Sequence, residues 1–409
     1  MKRIVTAEIV VVIIIMGLSV LSRSILDPII PLYLTSIGIA PTALGLMLAV
    51  AMVGMVFGET TGGWIADRMG ISIPLGVGTF GCAPIVLSFI LTSNTLLIFL
   101  IFFLWGVIRS AIFGPGRGYI GGNVPLTQKA TFMAIFSTSM AASRSLGSFT
   151  SGFIVDRLGY DWNFYFSAFA TFLGGVAVVI GLKKLRQKKV LPIEIQPPPT
   201  PRDVPEITAS NHVYNHSFIL QCTIAALRFF EMGVTHAFLP LFATQVVGVD
   251  AIKVGILFTV SGLVTAVLLI PMGRLADWRG KKVFIIVGLL LSAIAMAGIA
   301  LARSFPWLLG AVVLQGLSMA IFSPAAVALL SDTVPRHRQG TAMGIYGSAE
   351  DVGNIVGSAL GGFVWVAGGP QLTFLTGTIA SGLGALICFT FIKEKVIRSQ
   401  PPSTGLTNS

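Results

Sequence analysis

The sequence predicts an all-α membrane protein with twelve transmembrane helices in two six-helix halves. First, the 409 residues are 54% hydrophobic and only 11% charged, and the mean hydropathy is +0.88. Soluble domains carry about 25% charged residues, so this chain has too few to cover a surface that faces water. Second, apolar stretches of about 20 residues, the length that crosses a bilayer as a helix, recur along the chain. Third, the two halves of the sequence repeat each other.

The apolar stretches are the predicted spans, numbered 1 to 12 in chain order. Most are joined by short hydrophilic gaps, as expected for helical hairpins. Span 1 follows Met1-Lys2-Arg3 and lacks a small-residue cleavage site, so we interpret it as an uncleaved helix. The predicted spans are residues 8–34, 43–65, 72–91, 96–119, 129–154, 163–182, 216–243, 251–273, 283–302, 306–330, 340–366 and 371–392.

One long hydrophilic gap divides the spans six and six. Residues 183–215 begin with closely spaced lysines and arginines and continue with a proline-rich run over 197–201, a composition that cannot bury a core. The sequence therefore predicts an N-terminal half over 1–182, a cytoplasmic linker over 183–215 and a C-terminal half over 216–392. A disordered cytoplasmic tail is predicted over 393–409.

The two halves align at a nearly constant offset. An offset of 210 residues matches the landmarks Gly63, Ala66, Asp67 and Gly70 with Gly273, Ala276, Asp277 and Gly280. The same offset matches Gly147-Ser148 with Gly357-Ser358 and Gly152-Phe153 with Gly362-Phe363. Apolar composition alone does not produce matched glycines and aspartates. The halves are therefore predicted to be related by an axis along the membrane normal.

The basic residues are distributed as in a membrane protein. The formal charge is +11, and about 20 of the 27 lysines and arginines fall in alternate gaps and at the two termini. Because basic loops stay on the cytoplasmic side, both termini are predicted to be cytoplasmic, in a multi-pass protein of the plasma membrane. A nucleic-acid-binding protein concentrates positive charge on one module. No nucleic-acid partner is predicted.

The sequence contains no recognisable enzyme, cofactor or metal signature. The three cysteines stand singly, and the four histidines are scattered at 212, 216, 236 and 337. The glycine-rich run over 114–122 lacks the Lys-Ser/Thr of a P-loop, which argues against ATP hydrolysis. We expect a protein that is not an enzyme and needs no cofactor or metal.

A motif after span 8 points to a known family. It reads Gly273-Arg274-Leu275-Ala276-Asp277-Trp278-Arg279-Gly280-Lys281-Lys282, and residues 63–72 keep its glycines and aspartate but not the final basic pair. These motifs resemble the signature loop of the major facilitator superfamily, and the resemblance extends over essentially the whole chain. It implies two six-helix halves around a central cavity, with the third helix of each set of three facing lipid.

The resemblance also implies a cytoplasmic gate. In the family the motif latches the outward-facing state, because its aspartate attracts the N-terminus of a neighbouring helix. A static clasp that only fixes the loop is the alternative. Near the same membrane side, Glu59 and Arg117 are expected to form a gate pair. The predicted gate residues are Gly63, Asp67, Arg68, Gly70, Glu59, Arg117, Gly273, Asp277, Arg279, Gly280 and Lys281.

Two partial motifs resemble the drug–proton antiporter branch of the superfamily. Arg109 of span 4 stands where that branch has an arginine, although the usual Gln-Gly does not follow it. Residues 143–152 match the antiporter motif of span 5 only in part, since Ser148 replaces its proline. Small residues there also serve close helix packing.

Ionisable residues at membrane depth usually mark pathways or proton relays. Arg23 and Asp27 are spaced i,i+4, and Arg228 and Glu231 i,i+3, so each pair can meet on one helix face. Each pair is either a structural ion pair, or a pair that breaks when its carboxylate takes up a proton. The predicted proton-coupling residues therefore include Asp27 and Glu231.

Glu350 and Asp351 are the preferred proton carriers. They are adjacent on span 11, lie about 100° apart on the helix and have no arginine near them in sequence. His236 corresponds to Asp27 in the repeat and changes charge near neutral pH, although a lone histidine near a helix end is more often structural.

The remaining arginines leave two interpretations open. Arg109 and Arg144 either pair across helices with Asp27, Glu231 or Glu350, or hold an anionic substrate. The predicted substrate and cavity residues are Arg109, Arg144, Arg228, Arg23, Phe113, Tyr346 and Asn354.

Together these features predict secondary active transport of a small molecule by alternating access. We expect coupling to protons and export by antiport, in a monomer embedded in the lipid bilayer. Proton-coupled symport of an organic anion is an alternative, favoured by the arginines at membrane depth. A membrane sensor on the same fold is an alternative of another class.

Overall fold

A computed structural model describes residues 2–113, 115–116, 119–120, 129–182, 216–334 and 339–392, with side chains described from residue 9 onwards except at 67, 129–134 and 339–341. The predicted linker, the predicted tail and Arg117 lie outside the described residues. The boundaries of the predicted domains therefore stay predictions.

The described residues are helical almost throughout, and the helices follow the predicted spans closely. Span 1 is split into two helices, and spans 11 and 12 are joined across a kink. The helices are Lys2–Leu26 and Ile30–Ser36 (span 1), Pro41–Met69 (2), Ser72–Ser88 (3), Thr95–Ser110 (4), Lys129–Leu158 (5), Tyr160–Leu182 (6), His216–Gln245 (7), Ala251–Arg279 (8), Lys281–Ala300 (9), Phe305–Thr333 (10) and Gln339–Phe391 (11 and 12).

Within the described residues, nine helices are long and apolar enough to cross a bilayer. The last of them, Ala342–Phe391, contains two spans, because Gly369 has a φ of 84° and Pro370 follows it. Span 4 adds a shorter apolar helix, and the helix of span 5 is less apolar because it is rich in serine and threonine. The prediction of twelve transmembrane helices in two halves is confirmed.

Glycines with positive φ show the repeat in the backbone itself. Those of the described residues form three pairs that are 210 residues apart, namely Gly38 with Gly248, Gly70 with Gly280, and Gly159 with Gly369. A side chain is strained at such φ values, so glycine is needed at each of these turns. Gly70 and Gly280 end spans 2 and 8, where their N–H groups donate to Ala66 O at 2.9 Å and Ala276 O at 3.0 Å.

Span 1 has a break that its counterpart, span 7, does not have. Pro28 carries no N–H and disfavours a helical conformation at Asp27, so the helix stops at Leu26 and restarts at Ile30. The Ser151 hydroxyl of span 5 donates to the Ile25 carbonyl, which has lost its partner within the helix. The break thus places Asp27 on a turn inside the membrane.

Close backbone packing holds spans 2 and 4 together. Gly54, Gly58 and Gly62 recur every four residues on span 2, and a Cβ at each would collide with the backbone of span 4. Small residues at this spacing allow transmembrane helices to approach closely. In contrast, spans 6, 9 and 12 present many exposed large apolar side chains, among them Phe169, Ile294 and Phe389, as expected for helices that face lipid.

Candidate functional site

The two halves meet along two seams. Seam A joins spans 2 and 11, and seam B joins spans 5 and 8. At one end of seam A the backbones touch: a Cβ on Gly45 would overlap the Ser358 carbonyl oxygen, and a Cβ on Gly362 would lie 2.6 Å from Pro41 O. We call this end of the molecule the sealed end.

Seam B repeats the same contacts. A Cβ on Gly152 would overlap the Ala251 carbonyl oxygen, and a Cβ on Gly255 would lie 2.5 Å from Ser148 O. The Thr259 hydroxyl also donates across seam B to Ser145 O at 3.3 Å. Each of these glycine contacts is a contact of seam A moved by 210 residues. The internal repeat seen in the sequence therefore builds two matched closures at the sealed end.

At the opposite end, which we call the open end, the halves separate. A Cβ on Gly344 or on Gly347 of span 11 would meet no described atom within 4 Å. Glu59 and Thr60 of span 2 are exposed. Among the residues that the structure describes, the two halves are therefore sealed together at one end and open at the other.

The acids of span 11 lie at this opening. Asp351 is exposed and Glu350 is half-buried. No ion pair within 4 Å is formed by either residue among the described side chains. Asp351 and Glu59 interact electrostatically, although they belong to different halves. The two preferred proton carriers, Glu350 and Asp351, are thus at least partly accessible and lack a described cationic partner.

The predicted pair on span 1 forms. Arg23 Nε lies 3.1 Å from Asp27 Oδ2, and both side chains are a little over a quarter exposed. The charges of Arg23, Asp27 and Arg144 act on His236 of span 7, so ionisable groups from both halves meet close to one another. Arg144 itself is exposed.

Arg109 is buried at 4% exposure in the N-terminal half. It contacts the Met55 sulfur, and its guanidinium lies 4.7 Å from the centre of the Trp105 ring. Among the described groups, its Nε has no hydrogen-bond partner and no carboxylate lies within ion-pair distance. The positive charge of Arg23 acts against this guanidinium, and the charges of Asp27 and Glu59 act in its favour.

The second predicted pair is the centre of a larger buried cluster. Arg228 Nη1 donates to Glu231 Oε1, and these side chains are 2% and 0% exposed. Gln315 Nε2 of span 10 donates to the same oxygen at 2.8 Å. The hydroxyls of Ser292 of span 9 and Ser381 of span 12 donate to Glu231 Oε2.

This cluster ties spans 7, 9, 10 and 12 together inside the C-terminal half. Arg228 Nη2 also donates to the Ser318 hydroxyl at 3.2 Å. Sequence reasoning found the arginine and the glutamate from their spacing but missed Ser292, Gln315 and Ser381. A lone glutamine inside an apolar span was the one available signal for them.

Three further predicted cavity residues are less accessible. Tyr346 is 4% exposed, and Phe113 packs against a buried apolar cluster of the N-terminal half. Asn354 is half-buried, and its Oδ1 has no hydrogen-bond partner among the described groups.

The predicted gate residues that the structure describes lie at the open end. Arg68 is exposed, and its guanidinium lies 4.3 Å from the centre of the Trp64 ring. Asp277 and Arg279 are exposed, and a Cβ on Gly63 would meet no described atom within 4 Å. Lys281 instead pairs with Asp332 at the end of span 10. The side chain of Asp67 lies outside the described part of the chain.

Two repeated six-helix halves, sealed at one end and open at the other, are matched by one family profile. The profile of the Major Facilitator Superfamily matches residues 12–230 and again residues 221–408. The chain belongs to this superfamily. It is therefore a membrane-embedded transporter of a small molecule, in a family that is generally not enzymatic.

Relatives within the superfamily cover the chain to different extents. An uncharacterized MFS-type transporter of Methanocaldococcus jannaschii is 25% identical over 356 residues, which are 85% of this chain and 88% of the relative. The multi-drug resistance efflux pump PmrA of Streptococcus pneumoniae is 32% identical over 161 residues, or 38% of this chain and 40% of the pump. A bacterial homolog of the human lysosomal transporter Spinster shares the superfamily fold, with a TM-score of 0.77 at 13% identity, over 95% of this chain and 97% of that chain.

Proposed function

We propose that this protein exports a small solute by alternating access and that protons moving inward drive the export. The observation that carries the proposal is the pair of matched seams, closed by backbone contacts at Gly45 and Gly255 and open at Gly344. Each half can rock about these seams as a body, which would close the open end and release the sealed end. Because both seams join halves of one chain, the pathway is complete in a monomer.

The basic residues support an assignment of the two ends. Arg68, Arg274, Arg279, Lys281 and Lys282 all lie where spans 2, 8 and 9 reach the open end. Since basic residues stay on the cytoplasmic side, the open end faces the cytoplasm. Both termini then also lie in the cytoplasm, and the protein is in its inward-facing state in the plasma membrane.

The four predicted proton-coupling acids are distinguished by their partners. Glu231 is fully buried and held by donors on both oxygens, and Asp27 is paired with Arg23. Glu350 and Asp351 have neither kind of partner among the described side chains, and Asp351 is exposed at the opening. A carboxylate that passes between a wet and a dry environment without a cationic partner is suited to take up and release a proton. We therefore assign proton transport to Glu350 and Asp351.

The direction of transport rests on similarity. Efflux pumps such as PmrA are related to part of this chain, and the motifs around Arg109 and over 143–152 resemble those of proton-coupled exporters. An inward-facing state that takes its substrate from the cytoplasm is the loading state of an exporter.

Proteoliposomes with an imposed pH gradient test this function. Uptake and counterflow are measured for cations, organic anions and sugars, with a protonophore to remove the gradient. The double variant Glu350→Gln/Asp351→Asn should lose gradient-driven transport while remaining folded. Asp161→Asn, which removes an exposed acid at the start of the lipid-facing span 6, should keep it. Full coupled activity in the double variant would rule out these carriers, and activity that ignores the gradient would rule out proton coupling.

A second candidate function is proton-coupled symport of an organic anion, favoured by Arg109. A buried guanidinium without a described carboxylate partner is unfavourable in a membrane, and an anionic substrate would supply the missing charge. Counterflow of labelled organic anions, stimulated by inward protons, would favour this function. Counterflow of cations alone would exclude it.

A further inference from the structure

The helix register of seam A determines which residues would meet if the open end closed. Spans 2 and 11 run antiparallel, and their matched pairs at the sealed end are Gly45 with Ser358 and Pro41 with Gly362. Along antiparallel helices, each step forward on one is matched by a step back on the other. Seven residues make about two turns, so the pattern returns to the same face about 10 Å further on.

Two acids continue this face toward the open end. Seven residues from the Gly45–Ser358 contact toward the open end, span 2 has Met52 and span 11 has Asp351, so these two residues stand opposite each other. After another seven residues, Glu59 of span 2 stands opposite Gly344. One acid therefore faces an apolar side chain and the other faces a residue without a side chain, and both acids are exposed in the present state. Closure would enclose each carboxylate against a neighbour that offers no positive charge.

Seam B shows the same geometry without acids. An offset of 210 residues places Leu269 at the position of Glu59 and Ala141 at the position of Asp351. Because the seams are otherwise matched in their glycine contacts, the charges are not needed for helix packing. The acids are a property of seam A alone.

The charges described around the two acids do not neutralise them. Among the described groups, Arg109 of span 4 interacts electrostatically with Glu59 but is itself buried against Met55. Glu350 lies beside Asp351 and adds negative charge. No described arginine or lysine forms an ion pair with either seam acid.

We infer that Glu59 and Asp351 form a two-proton latch: without bound solute, seam A closes at the open end only when both carboxylates are protonated. The inference rests on the proposed proton coupling and extends it to Glu59, which sequence reasoning placed in the gate. Both carboxylates release their protons into water when the open end opens. An alkaline cytoplasm, the low-proton side of an inward-directed gradient, then keeps the empty transporter open to load solute.

The latch can be tested by measuring closure directly. Spin labels are placed at Met69→Cys and Trp278→Cys, exposed positions at the open ends of spans 2 and 8, after the native cysteines are replaced. Electron paramagnetic resonance in lipid nanodiscs, without added solute, gives the ratio of closed to open molecules at each pH. By proton linkage, the logarithm of this ratio should rise by about two for each unit that the pH falls, near the midpoint of the transition.

Variants of each acid show how much that acid contributes to the slope. Glu59→Gln or Asp351→Asn should each reduce the slope to about one, and the double variant should reduce it to about zero. Asp161→Asn, the matched control, removes an exposed acid at the start of span 6, outside both seams, and should leave the slope near two. Leu269→Glu, which gives seam B an acid at the equivalent position, should raise the slope by about one.

The outcomes separate the latch from the proposed function. An unchanged slope in the Glu59→Gln/Asp351→Asn variant overturns the latch, even if proteoliposomes show proton-driven transport. Loss of the slope in Asp161→Asn also overturns it. A slope of two that the seam variants remove supports the latch, even if transport proves independent of the proton gradient and the proposed coupling fails.

Discussion

Replacement of Glu231 by glutamine tests whether the buried cluster of the C-terminal half is structural. Glu231 is fully buried and is the counter-ion of Arg228, which is 2% exposed. The amide is nearly the same size as the carboxylate but carries no charge, so the variant leaves a buried guanidinium without compensation. Removing one partner of a buried ion pair costs about 3–5 kcal/mol.

This cost should be visible as a loss of thermal stability. For a folding unit of roughly 150–250 residues, about the size of one half of this chain, 1 kcal/mol shifts Tm by about 2–4 °C. The Glu231→Gln variant should therefore unfold roughly 6–20 °C below the wild type, measured on purified protein in one detergent. Arg228→Met/Glu231→Leu, which removes both charges, should regain most of the loss, because replacing a buried pair by apolar groups is often neutral.

Two results would refute this reasoning. A single variant as stable as the wild type would show that the cluster does not hold the half together. A double variant as unstable as the single one would show that packing, and not the unpaired charge, sets the cost. If Glu231→Gln stays stable but transports without coupling to protons, Glu231 is a proton carrier after all.

Three further predictions concern single positions. Gly45→Val places a side chain against Ser358, so it should hold the sealed end apart and reduce transport at least tenfold in proteoliposomes. The control is Gly382→Val, because a Cβ on Gly382 would meet no described atom within 4 Å. Arg109→Lys should lower transport because a planar set of donors is lost, and wild-type kinetics would leave Arg109 with only a packing role. Asn94 caps span 4 by accepting from Leu96 N at 2.9 Å, so Asn94→Ala should cost about 1 kcal/mol in thermal unfolding and Asn94→Asp much less.

The fold was predictable because its signals are local or periodic. The length of the apolar stretches set the number of helices, and the 210-residue offset predicted the two halves. Both charged pairs were also predictable, because residues one turn apart on a helix are neighbours whatever surrounds them. The Asp27-Pro28 dipeptide was a visible signal for the break in span 1, but the apolar stretch that contains it was interpreted as one continuous helix.

The rest of the site depends on how helices are rotated against each other. Ser292, Gln315 and Ser381 come from three different spans and converge on Glu231, and serines in apolar spans are too common to single these out. In the same way, the place of Glu59 on seam A follows from contacts at Gly45, fourteen residues away in sequence. The spacing i,i+4 within one helix can be read from a single sequence, whereas the register between two different helices cannot.

The glycine contacts of the two seams have a mechanical consequence. Where backbone lies directly on backbone, no side chains interlock, so the helices can part without changing any rotamer. The attraction between two such helices comes mainly from dispersion between backbone atoms. Because dispersion falls steeply with distance, the free energy that holds the seam closed depends on how much backbone lies in direct contact. A single added methyl group on either face would therefore change how long the transporter rests in each state, which makes these glycines natural points for adjusting its turnover rate.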